Sequence, residues 1–119
     1  FRRVLFRSQV AALTTDQIGA LTVPQVGALT AEQLGALTTD GIIALTTDQV
    51  GALTSDQVLG FTAGQLNAME TEDIVVLSDE AIATLTSDQL AGFTAGQISA
   101  FTASQLAALT QEQLDFLGL

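Results

Sequence analysis

The large apolar residues of this chain recur every eight positions. Leu13-Thr14-Thr15-Asp16-Gln17-Ile18-Gly19-Ala20 is followed by Leu21-Thr22-Val23-Pro24-Gln25-Val26-Gly27-Ala28. The series continues through Leu29, Leu37, Leu45, Leu53, Phe61, Met69, Leu77, Leu85, Phe93, Phe101 and Leu109 without insertion or deletion, so thirteen octads fill residues 13–116. With the positions lettered a to h, a is always large and apolar, and f is always Ile, Val or Leu, from Ile18 to Leu114. These two rows are the expected core. Position b is Thr except at Glu70 and Ser78, d is usually Asp or Glu, e is usually Gln, and h is mostly Ala or Gly.

An eight-residue period excludes the simplest elements. A continuous α-helix advances about 100° per residue, so its apolar rows drift by roughly 80° per octad. In a strand, a and f fall on opposite faces, and the octad shows no alternation of period two. The octad fits a helix start instead. Thr at b is a preferred N-cap, and Gln three residues later completes a capping box. The apolar residues at a and f then occupy the two positions of the hydrophobic staple. The acid at d lies in the first turn, where the helix dipole favours an anion, and Pro24 also falls in a first turn, where its missing N–H costs nothing.

Each new Thr cap arrives eight residues later, so each helix is expected to last six or seven residues, about 10 Å. Small residues at g and h, such as Gly19-Ala20 and Gly51-Ala52, are expected where the chain turns and backbones approach. Helices this short are unstable alone and must stack. The fold class predicted is all-α, a solenoid of very short N-capped helices with one per repeat and contacts mostly to neighbouring octads. A β-solenoid is the alternative. The array is expected to span 8–119, since Ser8 to Ala12 match positions d to h, with 1–7 a leader outside it. That leader carries every basic residue, but Arg7 and Gln9 break its apolar part, unlike a signal peptide. A translated sequencing adapter is a fitting origin for it. The chain also lacks an initiator Met and is read as a fragment cut from a longer array.

The Leu-Thr-x-x-Gln string, as in Leu13-Thr14-Thr15-Asp16-Gln17 and Leu45-Thr46-Thr47-Asp48-Gln49, resembles the LTxxQ motif of bacterial periplasmic stress chaperones. That motif opens helices without tandem repetition, so the resemblance implies the cap and not chaperone activity. The uninterrupted Ala-Leu-Thr-Thr-Asp-Gln-Val/Ile-Gly octads are similar to tandem tracts of very large bacterial secreted and surface proteins, adhesin-like or of the repeats-in-toxin type. This resemblance implies an extracellular or cell-surface structural role and brings no site residue with it.

Composition narrows the chemistry. Histidine, cysteine, tryptophan, tyrosine and lysine are absent, which removes thiolate and imidazole nucleophiles, the usual general bases and the thiolate and imidazole metal ligands. The chain is therefore not expected to be an enzyme, and no catalytic residue, cofactor or metal ligand is assigned. A net charge of −10 repels phosphate backbones and anionic lipid, so neither nucleic acid nor membrane insertion is expected. The acidic row of Asp16, Glu32, Asp40, Asp48, Asp56, Glu72, Glu80, Asp88 and Glu112 resembles a calcium ladder only superficially. One carboxylate per octad does not converge on a point, and Pro24, Gly64, Gly96 and Ser104 interrupt the row.

The most irregular stretch, Met69 to Thr84, gathers Glu70, Glu72, Asp73, Asp79 and Glu80 while losing Thr at b and Gln at e. It is the one place where a cation or partner site could hide, against a reading as drift in which Glu or Ser still caps the helix. Threonines at c (Thr15, Thr39, Thr47 and Thr71) are the expected acceptors for any O-linked sugars, and Asn67 heads no N-glycosylation sequon. Phe61, Phe93 and Phe101 are expected as core fillers. The partners expected are neighbouring repeats or copies of the chain end to end. The expected function is a structural module of a fibre, stalk or adhesin. The alternatives are a scaffold that binds protein or polysaccharide, and a self-assembling filament subunit.

Overall fold

A computed structural model describes residues 12–119; the expected leader 1–7 and the start of the array at 8–11 lie outside the described residues. Among the described residues there are thirteen helices and no strand. They are α1 (Thr15–Gly19), α2 (Val23–Gly27), α3 (Ala31–Gly35), α4 (Thr39–Ala44), α5 (Thr47–Gly51), α6 (Ser55–Val58) and α7 (Ala63–Ala68), followed by α8 (Thr71–Val76), α9 (Asp79–Ala83), α10 (Ser87–Leu90), α11 (Ala95–Ser99), α12 (Ala103–Ala108) and α13 (Gln111–Leu117). The fold is an all-α solenoid with one helix per octad, and the β-solenoid alternative is set aside.

The helices begin where the capping argument places them. Thr14 has extended backbone (φ −77°, ψ 163°), and its hydroxyl accepts from the Gln17 N–H while the Gln17 side chain accepts from the Thr14 N–H. The same reciprocal box recurs at the starts of α2, α3, α5, α6, α7, α10, α11, α12 and α13. Most helices are shorter than the six or seven residues expected, down to four in α6 and α10. The Thr at b is extended, and in several octads so is the apolar residue at a, as at Leu45 (φ −63°, ψ 135°) and Met69 (φ −68°, ψ 134°). Part of each octad is thus spent redirecting the chain instead of extending the helix.

The octad pattern predicts contacts mostly between neighbouring octads, but each helix instead packs on the helix three places along, α1 on α4, α2 on α5 and so on to α10 on α13, because the chain winds into a superhelix that stacks turn on turn. A superhelical turn therefore takes between three and four octads, and the described chain forms a rod of 41 × 21 × 21 Å. The f row lines the axis: Val26, Leu34, Ile42, Val58, Leu66, Ile74 and Ile82 are all fully buried. The a row closes around it, with Phe61 buried and Phe93 and Phe101 meeting edge to face at 5.5 Å, as core fillers should. Burying such a side chain contributes about 1.5–3 kcal/mol, which isolated five-residue helices could not gain. Close approach between turns explains two glycines. A Cβ on Gly92 would meet the Ala63 carbonyl oxygen at 2.5 Å, and one on Gly60 would collide with the Ala31 backbone.

Candidate functional site

The side chains with most chemistry in this fold are the glutamines at e. The carbonyl oxygen of each closes the capping box, and from Gln49 onward its amide nitrogen donates across the groove to the preceding superhelical turn. Gln49 Nε2 donates to the Ile18 and Leu21 carbonyls at 3.0 and 2.7 Å. Gln65 does so to Leu34 and Leu37 at 2.9 and 2.8 Å, and Gln105 to Ile74 and Leu77 at 2.7 and 2.9 Å. Gln57, Gln89 and Gln97 repeat the spacing, with acceptors 31 and 28 residues back. Gln113 reaches Leu85 and Ala83. Except at the half-buried Gln113, these rungs are buried; Gln49 and Gln105 are 2% and 1% exposed. A neutral side chain with one acceptor and two donors satisfies the cap of its own helix and two carbonyls of another: the a-row carbonyl, such as Leu21, and the f-row carbonyl, such as Ile18, which also accepts the Leu21 N–H at 3.1 Å.

The ladder was not foreseen from the sequence. The signal for it is the use of Gln instead of Glu at e, since a capping box takes either residue and only Gln can also donate. The row is interrupted at Gly41, Asp73 and Ala81. Two of these gaps are consecutive, so the carbonyl pairs of Ile42 with Leu45 and of Val50 with Leu53 receive no glutamine rung. They lie in the same stretch, Met69 to Thr84, that the sequence marks as irregular.

There the expectation that Glu or Ser still caps is half corrected. The Ser78 hydroxyl accepts from the Ala81 N–H at 3.1 Å, but Glu70 makes no side-chain cap bond at the start of α8. The short oxygen-bearing residues hold the acceptor close to the N3 amide, and the longer, more flexible Glu does not. Asp73, in the register of a rung, is 3% exposed, with its N–H donating to the Glu70 carbonyl at 3.0 Å. Burial, and then the charges of Glu70 and Glu72, push its carboxyl up to about 6. No Lys or Arg lies among the described residues to offset this, since all three arginines precede residue 8.

The remaining candidates are dispersed. Glu70, Glu72, Asp79 and Glu80 are exposed, and no group of three or more carboxylates is brought together to hold a metal among the described residues. Asp16, Glu32, Asp40, Asp48, Asp56, Asp88 and Glu112 each lie in the first turn of their own helix. Thr15, Thr39, Thr47 and Thr71 are exposed, and Asn67 spends its amide on the Gly92 carbonyl at 2.9 Å. Among the described residues no helix is long and apolar enough to cross a membrane. A shallow concavity of about 310 Å³ is lined mostly by small residues, Ala31, Gly35, Ala36, Gly60 and Thr62, together with Glu32.

Comparison with characterised proteins finds no match, and neither does comparison with solved structures. A family model does match, three times in tandem, over residues 3–31, 26–63 and 66–103. Its unit carries the same Ala-Leu-Thr-Thr order that opens the helices here, and the chain belongs to the ALTTAQ repeat family.

Proposed function

We propose that the chain is a non-enzymatic structural module, a stretch of an extracellular or cell-surface fibre, stalk or adhesin in which the array acts as spacer. The observation that carries this reading is repetition of one contact: seven octads, those of Gln49, Gln57, Gln65, Gln89, Gln97, Gln105 and Gln113, lay a glutamine rung on the preceding turn, on a rod 41 Å long. The outward positions vary mainly among small, acidic and hydroxyl residues, as a spacer tolerates and a specific groove does not. Each octad advances the rod by only about 3 Å, against about 27 Å for eight extended residues. Such a spacer holds its ends at a set distance while storing several times that length.

The test is a series of arrays with added octads, measured by small-angle scattering. Linear growth of about 3 Å per octad at constant cross-section is expected, and collapse of longer arrays into thicker particles would reject the spacer. A second reading, end-to-end assembly, has one observation in its favour. A rung joins segments 28 to 31 residues apart and needs no covalent link between turns, so the turn of another copy could supply it. Sedimentation over a wide concentration range separates the two: a constant mass favours the spacer and a growing one the filament.

A further inference from the structure

Two consecutive rungs are missing from the ladder, and a carboxyl stands where one of them belongs. Residues in the e row face the carbonyls of the preceding turn, 31 and 28 residues back. Extending the register of the flanking rungs, the carbonyls opposite Asp73, whose side chain is one methylene shorter than that of Gln, are Ile42 and Leu45, and those opposite Ala81 are Val50 and Leu53. The Ala81 side chain has nothing to donate. Asp73 can donate only when its carboxyl carries a proton; ionised, it offers the carbonyl groups another acceptor. The flanking rungs are intact, with Gln65 on one side and Gln89 on the other. The apolar core beneath is as well closed as elsewhere, since Ile74 and Ile82 are fully buried. The defect is therefore confined to the polar stitching between turns.

From this placement we infer that the boundary where α8 and α9 lie on the preceding turn is a proton-controlled seam in the solenoid, closed when Asp73 is protonated and loosened when it is ionised. The surroundings supply no counter-charge. Glu70 at the N-cap of α8 and Glu72 within it are both acidic, and the following helix adds Asp79 and Glu80. Of the helices packed on α8, α5 carries Asp48 and α11 carries no charge, and α4, which supplies the Ile42 carbonyl, carries Asp40. The native carboxyl holds its proton to about pH 6, whereas the group released by unfolding has the ordinary value of 3.8. Stability from this site is thus fully present below about pH 4 and lost as pH rises through about 6. The inference does not depend on where the array is used. It gives the rod one position at which a shift between mildly acidic and neutral surroundings changes how firmly successive turns adhere.

The experiment compares thermal melting of the wild-type chain, Asp73→Asn and Asp73→Gln between about pH 4.5 and about pH 7.5. The wild-type Tm is expected to fall by several degrees across this range. Asp73→Asn should have a distinctly shallower slope, and Asp73→Gln, which restores a rung, should be the most stable of the three at neutral pH. Parallel wild-type and Asp73→Asn slopes would assign the pH effect to the general acidity of the chain and overturn the seam. A second measurement, on the unaltered protein, is the titration of the Asp73 carboxyl carbon by NMR, expected near pH 6; a midpoint near 4 would also overturn it. Amide exchange of the wild type relative to Asp73→Asn, at matched neutral pH, should be faster in α4, α5, α8 and α9. Uniform acceleration along the rod, or none, would show that the seam does not open there.

Discussion

The octads from Leu45 to Ala68 and those from Met69 to Thr84 share one apolar core and differ in what lies over it. In the first stretch Val50, Val58 and Leu66 are buried to the same degree as Ile74 and Ile82 in the second. Yet the first has a capping box at every helix and a glutamine rung from every octad. The second has an uncapped helix at Glu70, a buried acid at Asp73 and an alanine at position 81. Core and stitching are therefore separable. The a and f rows suffice to wind the chain, and the e row sets how tightly one turn is held to the next.

The largest effects should ignore this difference. Val50→Asp and Ile74→Asp each place a charge in the fully apolar f row, with no cation nearby to pair with it. Each is expected to cost about 3 kcal/mol or more, measured by denaturant unfolding. The exposed Val75→Asp should remain within about 0.5 kcal/mol of wild type. If Ile74→Asp proved much milder than Val50→Asp, the irregular stretch would have a looser core, and the separation of core from stitching would fail.

Next in size are substitutions that exchange the character of the two stretches. Gln65→Ala removes the donors to the buried Leu34 and Leu37 carbonyls along with half of a capping box, and is expected to cost about 2 kcal/mol. Gln65→Asp should import the pH dependence of position 73 into a regular octad. Its carboxyl is expected above the ordinary value, so its added loss appears as pH rises toward neutrality and recedes on acidification. Ala81→Gln should do the reverse, adding a rung to Val50 and Leu53 and gaining about 1 kcal/mol. A Gln65→Asp variant with the same stability deficit at acidic and neutral pH would break the correspondence between the two positions.

Caps come third. Thr46→Ala removes the acceptor for the Gln49 N–H at 3.2 Å and is expected to cost about 1 kcal/mol, within a range of about 0.5–2. Glu70→Thr should gain a similar amount, because the start of α8 has no side-chain cap to lose. A loss from Thr46→Ala as large as that from Val50→Asp would mean that the helix register is wrong.

The two stretches also show why some of this was legible in sequence and some was not. Capping is local: Thr14 and Gln17 are three residues apart, and their chemistry identifies both the helix start and its register. The core rows follow from periodicity at Leu13 and Ile18, and with them the need for short helices to stack. The rung from Gln49 to Ile18 spans 31 residues, and its partner is a backbone carbonyl present at every position, so no side-chain pattern names it. Asp73 was visible as an irregularity, but its burial depends on the pitch of the superhelix, which the octad alone does not specify. The helices also proved shorter than expected, because b and often a are extended.

The smallest predicted effect is a small gap between matched substitutions in the two stretches. Asp48→Asn and Glu72→Gln each remove one acid from the first turn of a helix, and each reduces the net charge of −10 by the same amount. General repulsion and loss of the favourable dipole contact, a few tenths of a kcal/mol, therefore largely cancel between them. What does not cancel is Asp73, whose carboxyl is raised partly by the charge of Glu72. At neutral pH, where Asp73 is ionised, Glu72→Gln should be more stable than Asp48→Asn by a few tenths of a kcal/mol. The gap should vanish below about pH 4, where the carboxyl is protonated in both folded and unfolded chains, and shrink in high salt. Melting curves of the two variants at matched protein concentration would resolve it. A gap of the same size at acidic and neutral pH would trace it to packing, leaving the charge on Asp73 without a part in it.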